Sequence, residues 1–432
     1  MIWNETKECM SRDEMNALQS ARLKKTVSHV YHNVEFYRKK MQEVGLEPGD
    51  INGIEDITKL PYTTKDDLRD NYPFGLFAVP QSEVVRIHAS SGTTGKATIV
   101  GYTRKDIEVW QECVARVLTM ADIHKNDKIQ VAYGYGLFTG GLGLHYGAEN
   151  LGATVVPMST GNTKKLVTMM EDFGVNAIAC TPSYLLHITE VLEEMNLIGK
   201  IQLRSAICGA EPWTENMRKE IEERLHINAH DIYGLSEIMG PGVAADCICH
   251  SGLHIWEDHF LPEIVSPDTL KPVKDGELGE LAITTLTKEA LPLLRYRTKD
   301  LTSITHEKCE CGRTCARISR FKGRSDDMLI IRGVNVFPSQ IESALLEIGE
   351  TTPHYLMIVD RVNNHDTLEV LVEVEERFFS DEIKQLEGLT KKIAHVIQQA
   401  IGLAVKVKLV EPRTLERSEG KSKRVIDNRK LI

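Results

Sequence analysis

From Val84 onwards, short runs of β-branched and apolar residues alternate with helical stretches, and most of these runs end in glycine, serine or threonine. Strands that alternate with helices are typical of βαβ units, which build a parallel sheet. The alternation therefore predicts an α/β fold. The predicted strands are Val84–His88, Ala97–Tyr102, Lys128–Ala132, Ala153–Pro157, Ala177–Thr181, Ser205–Cys208 and Ile227–Tyr233.

The regions around these strands predict two domains. Residues 1 to about 75 repeat apolar residues at helical spacing, and residues 255–305 carry the short runs and turns of a β-rich subdomain. From Tyr355, two strands, a helix over Ile383–Ile401 and a third strand predict a compact α+β unit. We therefore predict a large N-terminal α/β domain over residues 1–325 and a small C-terminal domain over residues 326–432.

Composition argues against several classes of protein. Lysine and arginine number 52 and aspartate and glutamate 62, which gives a net charge of −10, so the bulk attraction to phosphate backbones that a nucleic-acid binder needs is absent. No apolar run approaches the ~18 residues of a membrane span, and no secretory signal precedes the first helical region. We expect a cytoplasmic protein whose nine cysteines are reduced thiols or metal ligands.

The segment His88–Thr98 reads HASSGTTGKAT, a strand that enters a loop rich in glycine, serine and threonine with one lysine. Glycines let backbone N–H groups approach an anion, hydroxyls donate to phosphate oxygens, and Lys96 neutralises charge. The two glycines are too close for a Walker A loop, and Ala97 stands where that motif places serine or threonine. The segment predicts a phosphate site, and a flexible β-turn is the alternative.

Three further segments accompany this loop in a fixed order: DIYGLSE (231–237), RYRTKD (295–300) and GRSDDMLIIRG (323–333). Together the four segments resemble the core motifs of the adenylate-forming acyl-CoA synthetases, over residues 84 to 430. Within that superfamily the chain resembles the phenylacetate–CoA ligase family. The segments that carry this finer resemblance are YGYGLFTGGLGLHYGAENLG (133–152), CGAEPW (208–213), HIWEDHF (254–260) and GRSDDMLIIRGVNVFPSQIE (323–342).

The resemblance implies a two-step reaction of an aryl acid, ATP and coenzyme A. The acid's carboxylate attacks the α-phosphate of ATP to give an acyl-adenylate and pyrophosphate, and the thiol of coenzyme A then displaces AMP. Developing charge on the phosphates needs fixed donors and cations, and Mg²⁺ prefers carboxylate oxygen. The implied catalytic residues are Lys421, Glu237 as the Mg²⁺ ligand, and Arg324, with Lys423 as the rival of Lys421.

The resemblance also implies a nucleotide site and a mobile C-terminal domain. That domain would rotate about Asp326 between the two half-reactions, and Gly333 would let pantetheine pass close to the backbone. Asp300 would accept hydrogen bonds from the ribose hydroxyls. The remaining implied nucleotide-binding residues are Ser90, Ser91, Gly92, Thr93, Thr94, Gly95, Lys96, Gly209, Ala210, Glu211, Asp231, Ile232, Tyr233, Gly234 and Ser236. A homodimer is the assembly that the family suggests.

Small residues beside aromatic rings predict a flat apolar slot for an aryl group. The residues that resemble the family's aryl-binding segment are Tyr133, Tyr135, Phe138, Gly140 and Gly141. Ordinary core aromatics are the alternative interpretation. The sequence does not distinguish phenylacetate from another aryl or indolyl acid.

Five of the nine cysteines lie between residues 247 and 315, and two of the histidines in this range, His250 and His254, closely follow the first two of these cysteines. Thiolates and imidazoles are the ligands that tetrahedral Zn²⁺ prefers, so we predict a zinc site. The resemblance to the family implies that this site is structural and not catalytic, because only some branches of the family have the pattern. The preferred ligands are Cys247, His254, Cys309 and Cys311, and the alternatives are Cys249, His250 and Cys315. Free thiols, and a zinc-containing nucleotide-binding protein without catalysis, are the competing interpretations.

Overall fold

The computed structural model describes residues 1–90, 97–325, 329–332, 334–348, 351–362, 365–374, 383–417 and 424–429. The described residues pack as two compact units. The first unit comprises Met1–Cys180, Leu197–Ala210 and Asn228–Phe321, and the second comprises Thr181–Asn196, Glu211–Ile227 and the chain from Lys322. The domain division at residue 325 stays a prediction.

Eleven α-helices are described, of which the first seven belong to the first unit. Side-chain caps fix several of their starts: Ser11 and Glu14 form a capping box at the start of α2, and Thr103 and Asp106 do so at α5, which satisfies N–H groups that have no partner inside the helix. The helices are α1 (Glu5–Glu8), α2 (Arg12–Asn33), α3 (Glu35–Glu43), α4 (Lys65–Asp70), α5 (Arg104–Met120), α6 (Thr139–Leu151), α7 (Thr163–Asp172), α8 (Pro182–Glu194), α9 (Glu215–Leu225), α10 (Pro338–Leu346) and α11 (Ile383–Ile401).

The described strands, in chain order, are β1 (Arg86–Ser90), β2 (Thr98–Tyr102), β3 (Lys128–Val131), β4 (Thr154–Val156), β5 (Ala177–Cys180), β6 (Ser205–Gly209), β7 (Asn228–Leu235), β8 (Gly240–Asp246), β9 (Leu253–Ile255), β10 (Phe260–Val265), β11 (Gly279–Thr285), β12 (Tyr296–Thr302), β13 (Ile304–Thr305), β14 (Arg317–Ile318), β15 (Gly323–Arg324), β16 (Leu329–Ile331), β17 (Val334–Val336), β18 (Thr351–Val362), β19 (His365–Val374), β20 (Lys406–Val410) and β21 (Val425–Asp427).

A nine-stranded sheet forms the centre of the first unit, in the order β13-β14-β9-β8-β7-β6-β5-β3-β4. The five strands β4, β3, β5, β6 and β7 are parallel, and helices connect them. Strands β8, β9, β14 and β13 extend the sheet in antiparallel fashion. The predicted α/β class is confirmed.

The first two predicted strands do not join this sheet. Strands β1 and β2 pair with each other as an antiparallel hairpin, with Ser90 opposite Thr98 and His88 opposite Val100. The loop between them is too short for a parallel crossover connection, which needs a dozen or more residues. The predicted phosphate loop is therefore the connection between the two strands of this hairpin.

Strands β10, β11 and β12 pair antiparallel in sequence order and form the predicted β-rich subdomain. In the second unit, β18 to β21 form a four-stranded sheet in the order β20-β19-β18-β21. Helix α11 has the predicted bounds, and its buried residues Ile393 and Ile397 pack in one core with Met357 and Val370. Among the described residues, no helix is both long and apolar enough to cross a membrane.

Candidate active site

The hairpin β1–β2 presents hydroxyls at the base of the predicted phosphate loop. The Oγ of Ser90 and the Oγ1 of Thr98 are buried, and neither has a hydrogen-bond partner among the described residues. Buried hydroxyls without partners are costly unless a ligand or water completes them. The loop residues Ser91, Gly92, Thr93, Thr94, Gly95 and Lys96 lie outside the described residues, and their role stays a prediction.

The carboxyl ends of parallel strands β6 and β7 meet at one edge of the sheet, where ligands of open α/β sheets bind. Gly209 ends the first strand and Ala210 follows it, whereas Asp231 and Ile232 lie on the second. A Cβ atom on Gly209 would collide with the carbonyl oxygen of Ile232. The glycine is therefore required by the close approach of the two strands.

Tyr233 and Asp300 are brought together from distant parts of the sequence. The hydroxyl of Tyr233 donates a hydrogen bond of 2.6 Å to Oδ2 of Asp300 on β12. The ring of Tyr233 packs on Phe321, with ring centroids 4.4 Å apart. The two residues that the sequence assigned to adenine and ribose therefore contact each other directly.

Ser236 and Glu237 lie in the turn between β7 and β8. The strand pairing shifts register at Gly234, and the hydroxyl of Ser236 lies 3.0 Å from that of Thr139 at the start of α6. Glu237 is 5% exposed, and its Oε1 lies 3.5 Å from Nζ of Lys65. A buried carboxylate oxygen paired with a cation is a suitable ligand for a hard metal ion.

Sequence reasoning missed Lys65, which is the first residue of α4. The capping box of Thr64 and Asp67 predicts a helix that starts here, but no local pattern shows that this helix approaches Glu237. The approach depends on packing between residues that are far apart in sequence.

Glu211 was expected to line the nucleotide. Its Oε1 accepts a hydrogen bond of 2.7 Å from the backbone N–H of Ser183, in the first turn of α8. A carboxylate at a helix start satisfies an N–H group and interacts favourably with the helix dipole. The structure thus gives Glu211 a helix-capping contact within the second unit.

In the predicted aryl slot, the rings of Phe138 and Tyr133 both lie close to Gly140. A Cβ atom on Gly140 would lie 2.7 Å from the ring of Phe138 and 3.4 Å from the ring of Tyr133. A Cβ atom on Gly141 would lie 2.7 Å from the carbonyl oxygen of Gly134. Larger side chains would therefore displace the rings or the backbone.

The three aromatic residues of this segment have different environments. The Tyr133 hydroxyl donates to the carbonyl of Cys180 at 2.6 Å and accepts from the N–H of Gly209 at 3.0 Å. The Tyr135 hydroxyl lies 3.2 Å from Nδ1 of His145, whereas Phe138 is 45% exposed. Through these two hydrogen bonds, Tyr133 connects the predicted slot to the ends of β5 and β6, at the edge of the sheet where we predict the nucleotide site.

The structure brings together the four preferred zinc ligands. The ligand atoms of Cys247, His254, Cys309 and Cys311 all lie within 4.8 Å of one another. The sulfurs of Cys247 and Cys309 are 3.7 Å apart, and the sulfur of Cys311 is 3.5 Å from Nε2 of His254. Hydrogen bonds from Cys247 and His254 hold the pKa of the Cys311 thiol well below its usual range.

Two of the alternative ligands have other partners. The sulfur of Cys315 lies 3.4 Å from Nδ1 of His254, the ring nitrogen that faces away from Cys311. Nδ1 of His250 lies 2.7 Å from Oδ2 of Asp246. Partners on the second ring nitrogen orient a ligating histidine, so Cys315 supports His254.

The loop that carries Cys309 and Cys311 is held by the first residues of the chain. Nε of Arg313 donates to Glu8 at 2.6 Å, and both side chains are buried. The N–H of Thr314 donates to the Glu8 carbonyl at 3.0 Å. The N-terminal segment and the cysteine loop therefore form one packed structure.

The remaining predicted catalytic residues belong to the second unit. Arg324 lies in β15, after Gly323, whose φ of +142° and whose contact with the ring of Phe337 exclude a side chain. Asp326, Gly333 and Lys421 lie outside the described residues, and so does Lys423. Their roles stay predictions.

Two family models match the chain. The model "AMP-binding enzyme" matches residues 18–286, and the model "AMP-binding enzyme C-terminal domain" matches residues 333–429. Together these matches cover both the nucleotide region and the C-terminal sheet.

Curated and solved relatives extend these matches over the whole chain. The phenylacetate-coenzyme A ligase of Thermus thermophilus is 50% identical, with 100% of each chain covered. That of Escherichia coli is 52% identical over 98% of this chain and 97% of its own. A crystal structure of 2-hydroxyisobutyryl-CoA ligase in complex with R3-HIB-AMP is 29% identical, with a TM-score of 0.92 over 98% of this chain and 92% of that chain. The chain therefore belongs to the phenylacetate–CoA ligase family of AMP-binding enzymes.

Proposed function

We propose that this enzyme ligates phenylacetate, or a close aryl acid, to coenzyme A through an acyl-adenylate, with release of pyrophosphate and then AMP. One observation carries the proposal. The hydrogen-bonded pair of Tyr233 and Asp300 lies at the same edge of the sheet as the end of β6, where the N–H of Gly209 donates to the Tyr133 hydroxyl. Relatives with this sequence pattern are phenylacetate-coenzyme A ligases. The alternative of a nucleotide-binding protein without catalysis is not favoured by these relatives.

The first half-reaction needs a bound nucleotide whose α-phosphate is exposed to the acid. Asp300 accepts hydrogen bonds from the ribose, and Tyr233 orients this carboxylate through their hydrogen bond. The loop from Ser90 to Lys96 binds the β- and γ-phosphates, with the buried hydroxyls of Ser90 and Thr98 at its base. Donors fixed in advance stabilise charge without reorganisation during the reaction.

Glu237 would hold Mg²⁺, since a hard cation fits this buried carboxylate, and the ion would supply positive charge beside the phosphates. Lys65, 3.5 Å from Glu237, supplies a further cation on the same side of the site. Lys421 bridges the acid's carboxylate and the α-phosphate, and Arg324 contacts the nucleotide. These cations act on charge that grows during the transfer.

For the second half-reaction, the domain over residues 326–432 turns about Asp326 and removes Lys421 from the phosphate. A hinge of this kind needs only a few residues to change φ and ψ. Gly333 then lines the path of pantetheine. The acid's aryl group stays beside the rings of Tyr133 and Phe138, in the slot next to Gly140.

A structural Zn²⁺ ion completes the proposal. Cys247, His254, Cys309 and Cys311 offer three sulfurs and one nitrogen within 4.8 Å of one another, which suits tetrahedral zinc. The ion would join the strand β9 to the loop over residues 309–315. A cytoplasmic homodimer is the form in which we expect the enzyme to work.

Pyrophosphate release over a panel of acids tests the function. With ATP and Mg²⁺, phenylacetate or a close aryl acid should have a kcat/KM far above those of acetate and palmitate. Among aryl acids that differ by a methylene, discrimination should be about 10–200-fold at most. A highest kcat/KM for a long aliphatic acid would contradict the aryl slot, and no release with any acid would contradict the function.

A further inference from the structure

A second group of side chains that can bind a metal lies beside the cysteine site and shares none of its four preferred ligands. One ligand atom each from His230, Asp246 and His250 lie within 4.8 Å of one another. Nδ1 of His230 is 3.4 Å from Oδ1 of Asp246, and Nδ1 of His250 is 2.7 Å from Oδ2. Both imidazoles therefore present the same ring nitrogen to one carboxylate.

Strand pairing and one turn bring these three residues together. His230 lies on β7, and Asp246 ends β8, the antiparallel neighbour of β7. The chain then turns, and the N–H of His250 donates to the carbonyl of Cys247 at 2.9 Å. This turn returns the ring of His250 to the carboxylate of Asp246, so the backbone defines the geometry of the group.

His230 has a buried nitrogen that the surrounding protein does not satisfy. The residue is 2% exposed, and its Nδ1 has no hydrogen-bond partner in the part of the chain that the structure describes. A buried polar atom without a partner costs free energy, whichever ring nitrogen carries the proton. A metal ion bound to the lone pair of this nitrogen would remove that cost.

The other two residues have the surroundings of metal ligands. Oδ1 of Asp246 accepts the backbone N–H of Asp231 at 2.8 Å, and Asp246 is buried. Hydrogen bonds of this kind orient a ligating carboxylate. The side chain of His250 is 20% exposed, so an ion can enter from solvent at this residue.

We propose that His230, Asp246 and His250 form a second metal site, which takes a divalent transition-metal ion such as Zn²⁺. Two imidazoles and one carboxylate favour such an ion over Mg²⁺ and Ca²⁺, which prefer oxygen ligands. Bonds of about 2.0–2.2 Å place the ligand atoms of a tetrahedral zinc site about 3.3–3.6 Å apart. The distance of 3.4 Å between His230 and Asp246 fits this spacing, and a water molecule can take the fourth position.

This ion should be held less tightly than zinc at the cysteines. The second site offers one anionic ligand, whereas the cysteine site offers three thiolates. We therefore expect the second ion to be lost during purification and to bind again when metal is added. Once bound, it joins β7 to the turn after β8 and stabilises the folded chain. The site is independent of the proposed reaction.

Titration of the purified protein with Co²⁺, followed by absorption, tests the second site. Cobalt bound by thiolates has a strong charge-transfer band, whereas cobalt bound by nitrogen and oxygen alone has only weak visible bands. The wild type should bind about one equivalent of Co²⁺ without the thiolate band, whether or not the cysteine site exchanges its metal. Zn²⁺ should displace this equivalent and raise the Tm.

His230→Gln and His250→Gln should each weaken this binding by more than about 100-fold, since loss of an outer partner alone costs about 10–100-fold. Neither variant should change cobalt binding with the thiolate band. His306→Gln is the matched control, because His306 lies 2.7 Å from Asp275 on the surface and belongs to no such group of three among the described residues. It should keep both the second equivalent and the rise in Tm.

The proposal is overturned if millimolar Co²⁺ binds to the wild type only with the thiolate band, or not at all. Unchanged binding in both His230→Gln and His250→Gln would overturn it as well. Because His250 is partly exposed, His250→Gln provides the test if His230→Gln does not fold.

Discussion

The two ends of the β7–β8 hairpin carry side chains of different chemistry. The turn holds the buried carboxylate of Glu237 beside the amine of Lys65, whereas Cys247, directly after β8, lies among thiols and an imidazole. Strands of this length separate the two ends by about 20 Å. A carboxylate paired with a cation can exchange its partner for a bound ion, while sulfur and nitrogen ligands surround a metal on all sides. We therefore expect changes near the turn to alter rates and changes near the cysteines to alter stability.

The largest effect on turnover is expected from Lys421→Ala. Loss of one preorganised charge should reduce the kcat of adenylation by about 10²–10³-fold, with little change in the KM of the acid, because the interaction exists only in the transition state. Thioester formation from preformed acyl-adenylate should remain near the wild-type rate. The two rates are measured as pyrophosphate release and as coenzyme A consumption.

Lys423→Ala is the control for that variant and should leave both rates unchanged. If it reproduces the adenylation defect while Lys421→Ala does not, the catalytic lysine is Lys423. Equal slowing of both half-reactions by Lys421→Ala would contradict rotation of the C-terminal domain.

A smaller effect is expected from Gly140→Ala. The added methyl group would lie 2.7 Å from the ring of Phe138 and 3.4 Å from that of Tyr133, so the rings must move into the space of the aryl group. An overpacked site typically costs about 1–3 kcal/mol, which corresponds to a rise of about 5–150-fold in the KM for phenylacetate.

Gly134→Ala is the matched control, because a Cβ atom at that position meets no atom within 4 Å. It should leave the KM for the acid unchanged. If Gly140→Ala behaves like Gly134→Ala, the rings of Tyr133 and Phe138 do not border the bound acid.

The smallest effect on turnover is expected at the cysteine end. Cys309→Ser should lower the zinc content, measured by metal analysis, from about one ion per chain, and should lower Tm, because metal binding at a structural site adds to folding stability. The kcat measured well below Tm should change little. Cys249→Ser, a change of a neighbouring thiol outside the four-ligand set, should keep the metal.

The zinc site would be contradicted if the purified wild-type protein contained no zinc and if Cys309→Ser had the same Tm as the wild type. If Cys309→Ser had a much lower kcat at a temperature where the variant is folded, the cysteine end of the hairpin would also affect the reaction rate. That result would contradict our expectation that changes near the cysteines alter stability only.

The sequence predicted elements with local patterns and missed contacts between distant residues. Helix Ile383–Ile401 and the strands after Lys128 follow from their own periodicity and termini. Strand β8 was missed because its sequence, GPGVAAD, contains two glycines and a proline, which are depleted in strands. Its pairing with both β7 and β9 outweighs that local preference.

The candidate site was predicted by ordered motifs, which name residues but not their contacts. The Tyr233–Asp300 bond joins residues 67 apart, and the approach of Lys65 to Glu237 joins α4 to the turn after β7. Such contacts depend on tertiary geometry and have no local sequence signal.

The packing of the N-terminal segment on the cysteine loop also bears on how the chain is made. Glu8 is synthesised 305 residues before its partner Arg313. At about 5–20 residues per second, Glu8 waits about 15–60 s for that partner. During synthesis the residues around Glu8 therefore cannot complete their native contacts, and nascent chains that end before Arg313 should expose this segment to chaperones and proteases.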